Sequence, residues 1–88
     1  MKATSTRSAL DILRARQAAA AAGVSKSWLY ERIAEGLWPP GVRIGPRIVG
    51  WTAHEVATLN AARVAGKPDH EIRALVAQLV EARATTHA

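Results

Sequence analysis

The stretch Ala18 to Ser25, five alanines followed by Gly23, Val24 and Ser25, constrains this chain more than any other. Alanine loses no side-chain entropy on becoming helical and is the strongest helix former, so Arg14 to Ala22 reads as a helix. Gly23 ends it, because helices commonly close on a residue of positive φ, which costs glycine nothing. Ser25 then caps a second helix, Lys26 to about Glu35, and Gly36 stops that one. Two helices separated by Gly23-Val24-Ser25 form the helix-turn-helix signature. Small alanine side chains suit a close helix crossing, as they suit any Ala-rich helix.

In the second helix, Leu29 and Ile33 stand at i, i+4 spacing with Leu37 just beyond, which makes one apolar face. Lys26, Ser27, Tyr30, Glu31 and Arg32 fall mostly off that face. Trp38-Pro39-Pro40-Gly41 cannot continue a helix. Val42-Arg43-Ile44 and Ile48-Val49 are β-branched runs around Gly45-Pro46-Arg47, which predicts a hairpin presenting Arg43 and Arg47 near its tip. A basic hairpin placed directly after a helix-turn-helix is a wing. Trp51 is expected beneath it, Trp38 at the junction after the second helix, and Trp28 at the edge of the exposed helix face.

Upstream, residues 1–8 are polar and predict a flexible tail. Leu10, Ile12 and Leu13 are expected to enter the core as a short lead-in. Downstream, Thr52 and Glu55 form a T-x-x-E capping box that opens a third helix. Val56, Leu59 and then Ala62 or Arg63 line its inner face, and it ends near Gly66. Pro68 begins a fourth helix, whose dipole is complemented by Asp69 and Glu71 at the start and Arg83 at the end. Ile72, Leu75, Val76, Leu79 and Val80 give it the clearest amphipathic pattern in the chain. That face either packs back to complete a small core or pairs with a second copy. At 88 residues the chain needs the burial, which favours packing back. The expected fold is mainly α with a small β-hairpin: a winged helix-turn-helix over 9–66, an added C-terminal amphipathic helix over 67–84, and a short tail over 85–88.

Charge narrows the function. Residues 1–51 hold eight cations against three anions and residues 52–88 hold four of each, so the net charge of +5 lies wholly in the first half. A one-sided basic field is what a polyanion binder needs, although a solvated basic face gives the same count. The absence of cysteine excludes disulfide frameworks, thiol nucleophiles and Cys-based zinc sites, and fits a reducing compartment. The longest uncharged stretch, Gln17 to Ser25, is too short to cross a bilayer. No apolar run follows Lys2 and Arg7, so no secretory signal is expected. His54, His70 and His87 lack metal-ligand spacing, and no phosphate-binding glycine loop or nucleophile elbow is present. The carboxylates read as solvated faces rather than a general acid/base pair. The expectation is a cytoplasmic, non-enzymatic protein without cofactor, metal or membrane.

A helix in the major groove meets base edges with its N-terminal residues. Candidate DNA contacts are therefore Ser25, Lys26, Ser27, Trp28 and Tyr30. Arg32, further round, is placed at a phosphate, Arg47 at the wing tip at a phosphate or the minor groove, and Arg43 on the wing is a further candidate DNA contact.

These residues carry a resemblance. Gly23-Val24-Ser25-Lys26-Ser27 leading to Leu29-Tyr30, then Gly36-Leu37-Trp38-Pro39, then Val42-Arg43-Ile44-Gly45, then Arg47-Ile48-Val49-Gly50-Trp51 and Glu55-Val56 resemble the AlpA family of prophage regulators. They are also similar to related excisionases with a MerR-like winged helix. The resemblance runs from about Leu10 to Arg63. It implies a DNA-binding protein of a phage or integrative element. Such a protein acts as an excisionase that binds attachment-site DNA and assists an integrase, or as a transcriptional regulator of an integrase or prophage gene. The partners it implies are double-stranded DNA, an integrase, and further copies on adjacent DNA sites. Two positions depart from the family pattern. Glu31 follows the tyrosine where a basic residue is usual, with Arg32 one step later, and Thr58-Leu59 stands where a tryptophan is common. From another class, the alternative is a protein-interaction module that uses the fourth helix as its binding face.

Overall fold

A computed structural model describes residues 8–85; of the tails expected at 1–8 and 85–88, all but Ser8 and Thr85 lie outside the described residues. In chain order the elements are β1 (Ile12–Leu13), α1 (Ala15–Ala22), α2 (Lys26–Ala34), β2 (Val42–Gly45), β3 (Ile48–Thr52), α3 (Ala53–Val64) and α4 (Asp69–Ala82), followed by a 3-10 turn, Arg83–Thr85. The architecture is a winged helix-turn-helix, with β2 and β3 as the wing and α4 added behind it.

Local chemistry explains the helix boundaries. The Arg14 amide donates to Gln17 Oε1 at 2.9 Å at the start of α1. At its end Gly23 adopts φ +73°, and the amides of Gly23 and Val24 donate to the carbonyls of Ala20 and Ala19. Ser25 Oγ accepts the Trp28 amide at 3.0 Å, which starts α2 directly after the turn. Thr52 and Glu55 exchange reciprocal bonds of 3.1 Å at the start of α3, the capping box expected from their spacing.

The sheet has the order β1-β3-β2 and is antiparallel throughout. The hairpin lies where expected, but the lead-in is itself a strand: Ile12 pairs with Thr52 and Leu13 with Trp51. Pairing decides what that segment buries, because successive side chains of a strand face opposite ways. Leu13 faces the core at 3% exposure, whereas Leu10 and Ile12 remain 38% and 41% exposed. The lead-in therefore supplies one core residue instead of three. Ile12 and Ile44 close over Gly50 on the outer face of the sheet. A Cβ at Gly50 would lie 2.5 Å from Ile12 Cγ2 and 2.9 Å from the Leu13 carbonyl oxygen. Gly50→Ala is accordingly expected to lower stability by about 1–3 kcal/mol, read as a lower urea midpoint with an unchanged slope.

Trp38, Trp51, Leu29 and Leu59 are fully buried at the centre of the core. Ala18 and Ala19 let α1 pack close, and Asn60 Nδ2 donates to the Ala21 carbonyl at 3.0 Å to fasten α3 to the end of α1. α4 packs back on its own chain. Ile72, Val76 and Leu79 are buried and Leu75 is partly so, while Val80 stands exposed at the margin. At about 100° per residue Val80 sits roughly 80° around the helix from Ile72, which takes it off the buried stripe. Arg83 lies just past the last turn of α4 and does more than complement a dipole. Its Nε donates to Glu55 Oε2 at 2.7 Å, and its Nη2 donates to Glu55 Oε1 at 3.2 Å and to the Pro40 carbonyl at 2.9 Å.

Candidate nucleic-acid interface

The start of α1, the start of α2 and the tip of the wing converge on one open cleft of about 250 Å³, lined by Arg14, Ala15, Arg16, Lys26, Tyr30, Arg47 and Val49. Its lining contains four cations and no carboxylate. None of these cations forms an ion pair among the described residues. Two helix N-termini, each carrying a partial positive charge, open beside the cleft. Neither α1 nor α2 has an acidic residue in its first turn, whereas α3 has Glu55 and α4 has Asp69 and Glu71. The helices that border the cleft thus lack the usual dipole complement. An anion placed there would meet cationic side chains and helix ends together.

Tyr30 is held in place from below. Trp51, on the inner face of β3, is fully buried and donates from Nε1 to the Pro39 carbonyl at 2.7 Å. The Tyr30 ring meets it edge-on, with centroids 6.5 Å apart and planes at 68°, and stays 47% exposed. An aromatic pair of this geometry links the second helix to the wing across the cleft.

The residues singled out in the sequence divide into three groups. Lys26, Tyr30 and Arg47 line the cleft. Ser27 is exposed beside Lys26 on the first turn of α2. Arg43 is exposed on β2 opposite Val49, which places both on one face of the wing, although Arg43 itself does not line the cleft. Ser25 spends its hydroxyl as a cap on the Trp28 amide. Trp28 and Arg32 turn away. At about 100° per residue they lie roughly 200–240° around α2 from Lys26, on the flank against the core. Trp28 is partly buried there. The Arg32 Cζ lies 5.1 Å from the centre of the Trp28 ring, and its guanidinium pairs with Glu31 at 3.3 Å and Glu35 at 3.0 Å. Arg32 is thus neutralised locally, and Glu31, which departs from the family pattern, is one of its partners.

The sequence alone does not mark Arg14 and Arg16, because they open an Ala-rich helix that looks purely structural. A signal was present, since two arginines opening a helix without any acid oppose its dipole. On the far flank of α2, Arg63 lies partly buried. Burial holds its pKa below the usual arginine value, opposed by the charge of Asp69 and reinforced by that of Arg32. Among the described residues no group of three or more His, Asp or Glu could hold a metal ion, and no helix is long and apolar enough to cross a membrane.

Residues 11–63 match the family described as Prophage CP4-57 regulatory protein (AlpA). A relative in Enterobacteria phage P4, described as uncharacterized protein ORF88, is 42% identical over 45 residues. The match covers 51% of this chain and 51% of that relative, so the chain spans about half the length of the curated relative it matches. No solved structure gives a match.

Proposed function

The chain belongs to the AlpA family of prophage regulatory proteins, and we propose that it works by binding double-stranded DNA with α2 in the major groove and the wing alongside. The observation that carries this reading is the convergence of Arg14, Arg16, Lys26 and Arg47 around Tyr30 in a cleft without carboxylates. Cations gathered at such a site repel one another until a polyanion neutralises them and releases its counterions. Lys26, Ser27 and Tyr30 lie on the outward face of α2 and meet the base edges. Arg14, Arg16, Arg43 and Arg47 meet phosphates or the minor groove and set the register. The family is described as regulatory, which fits a DNA-binding role.

Gel-shift titration at several salt concentrations tests the reading. Four or five neutralised phosphates predict a slope of about −3.6 to −4.5 in log affinity against log salt. No binding at low salt would leave the interaction-module alternative. That alternative is less well supported, because the apolar face of α4 it would offer to a partner is occupied by this chain's own core. Ser27→Ala and Tyr30→Ala are expected to relax sequence preference, with a loss of roughly 1–3 kcal/mol on the best site. If both variants kept the wild-type preference, the assigned face of α2 would be wrong.

The finer form of the proposal is an excisionase that binds attachment-site DNA and directs an integrase towards excision. An excision assay with the integrase of the same element, with and without this chain, decides it. Excision that is independent of the chain, together with promoter-specific footprints, would assign a transcriptional role instead.

A further inference from the structure

Arg63 lies outside the cleft, yet it grips α2 at both ends. Its Nη2 donates to the Leu37 carbonyl at 2.9 Å, just past the C-terminal end of the helix. Its Cζ lies 5.0 Å from the centre of the Trp28 ring, on the first turn, within range of a cation–π attraction. One side chain from α3 therefore spans the helix whose opposite flank carries Lys26, Ser27 and Tyr30. The placement is costly: the guanidinium is partly buried, and its Nε has no hydrogen-bond partner. A buried unsatisfied donor calls for an explanation, which a freely solvated arginine would not. Neighbouring groups reinforce the grip. Arg32 lies over the same ring, and Arg73 from α4 donates to the Glu35 carbonyl at 2.9 Å. Cations at this end of α2 also suit its dipole.

Base readout and phosphate attraction respond differently to helix orientation. Hydrogen bonds to base edges weaken steeply with misalignment. Attraction to the phosphate backbone is long-ranged and tolerates small rotations. Whatever holds α2 at one rotation thus governs selectivity more than overall affinity.

We propose that Arg63 is a specificity-determining positioning residue that sets the rotation of α2 in the groove through Trp28 and Leu37, without touching DNA. This rests on the DNA-binding reading above. The test uses the full chain and two probes: the best duplex recovered by selection from a random-sequence library, and the unselected random duplex pool. Arg63→Lys keeps the charge but lacks the planar fork that serves both contacts. Trp28→Phe keeps an aromatic ring of smaller face. Each variant is expected to bind the selected duplex about tenfold more weakly, while affinity for the pool stays within about twofold and the salt slope is unchanged. The double variant should lose no more than the larger single loss, because both act on one contact. Thermal melts set an assay temperature at which every variant is folded. Equal losses on both probes, or an unchanged ratio in both variants, overturn the positioning role. A wild-type chain that binds neither probe overturns the DNA reading and this proposal with it, and that outcome is seen before any variant is made.

Discussion

Replacing Arg14, Arg16 and Arg47 together by alanine is expected to weaken DNA binding about a hundredfold at moderate salt and to flatten the salt slope by about 2.7. The three side chains line one cleft and form no ion pair among the described residues, so their removal costs the fold little. The loss should be the same on specific and random duplexes, because phosphate contacts carry no base code. Arg47→Ala alone should show a smaller version of the same uniform loss. Gel shifts at four salt concentrations, with a thermal melt of each variant, check both points. A loss confined to one sequence would show that these arginines read bases, and an unchanged slope would show that the phosphates lie elsewhere.

Glu55→Ala is expected to produce the largest loss of stability, about 3 kcal/mol, which for a domain of this size lowers Tm by about 12–24 °C. The Glu55 side chain is 4% exposed and that of Arg83 is 22% exposed, with 2.7 Å between Nε and Oε2. Removing the carboxylate strips the Thr52 amide of its acceptor and leaves Arg83 with the Pro40 carbonyl alone. Arg83→Ala should also destabilise, since it leaves a carboxylate buried without its cation. The Glu55→Ala/Arg83→Ala double variant should lose less than the two single losses added together, by more than about 1 kcal/mol. Calorimetric melts of the four proteins measure that coupling. Additive losses would mean that the two side chains act independently.

Much of this fold can be read from local chemistry. Gly23, Ser25, Thr52 and Glu55 act within three or four residues of themselves, so their caps and turns appear in the chain as short motifs. The hairpin is equally local, because Gly45-Pro46-Arg47 lies between its two strands. β1 is different: two residues are too few to show alternation, and its partner Trp51-Thr52 is almost forty positions away. The site divides along the same line. That Lys26, Tyr30 and Arg47 are exposed together is readable from the helix start and the wing to which they belong. The place of Arg14 and Arg16 is not, because it depends on how α1 packs beside α2. Trp28 and Arg32 lie on the other flank of α2, against the core, because a helix has two flanks and only burial tells which one meets the core.

The order of elements, the helix boundaries, the basic first half and the apolar stripe of α4 follow from the amino-acid sequence, since each depends on residues within a turn or two of one another. Packing alone decides that four cations from three elements share a cleft, that Arg83 closes onto Glu55 from 28 residues away, and that Arg63 reaches around to α2. These contacts join distant parts of the chain, and the entropy of bringing such parts together is offset only when the whole core forms at once.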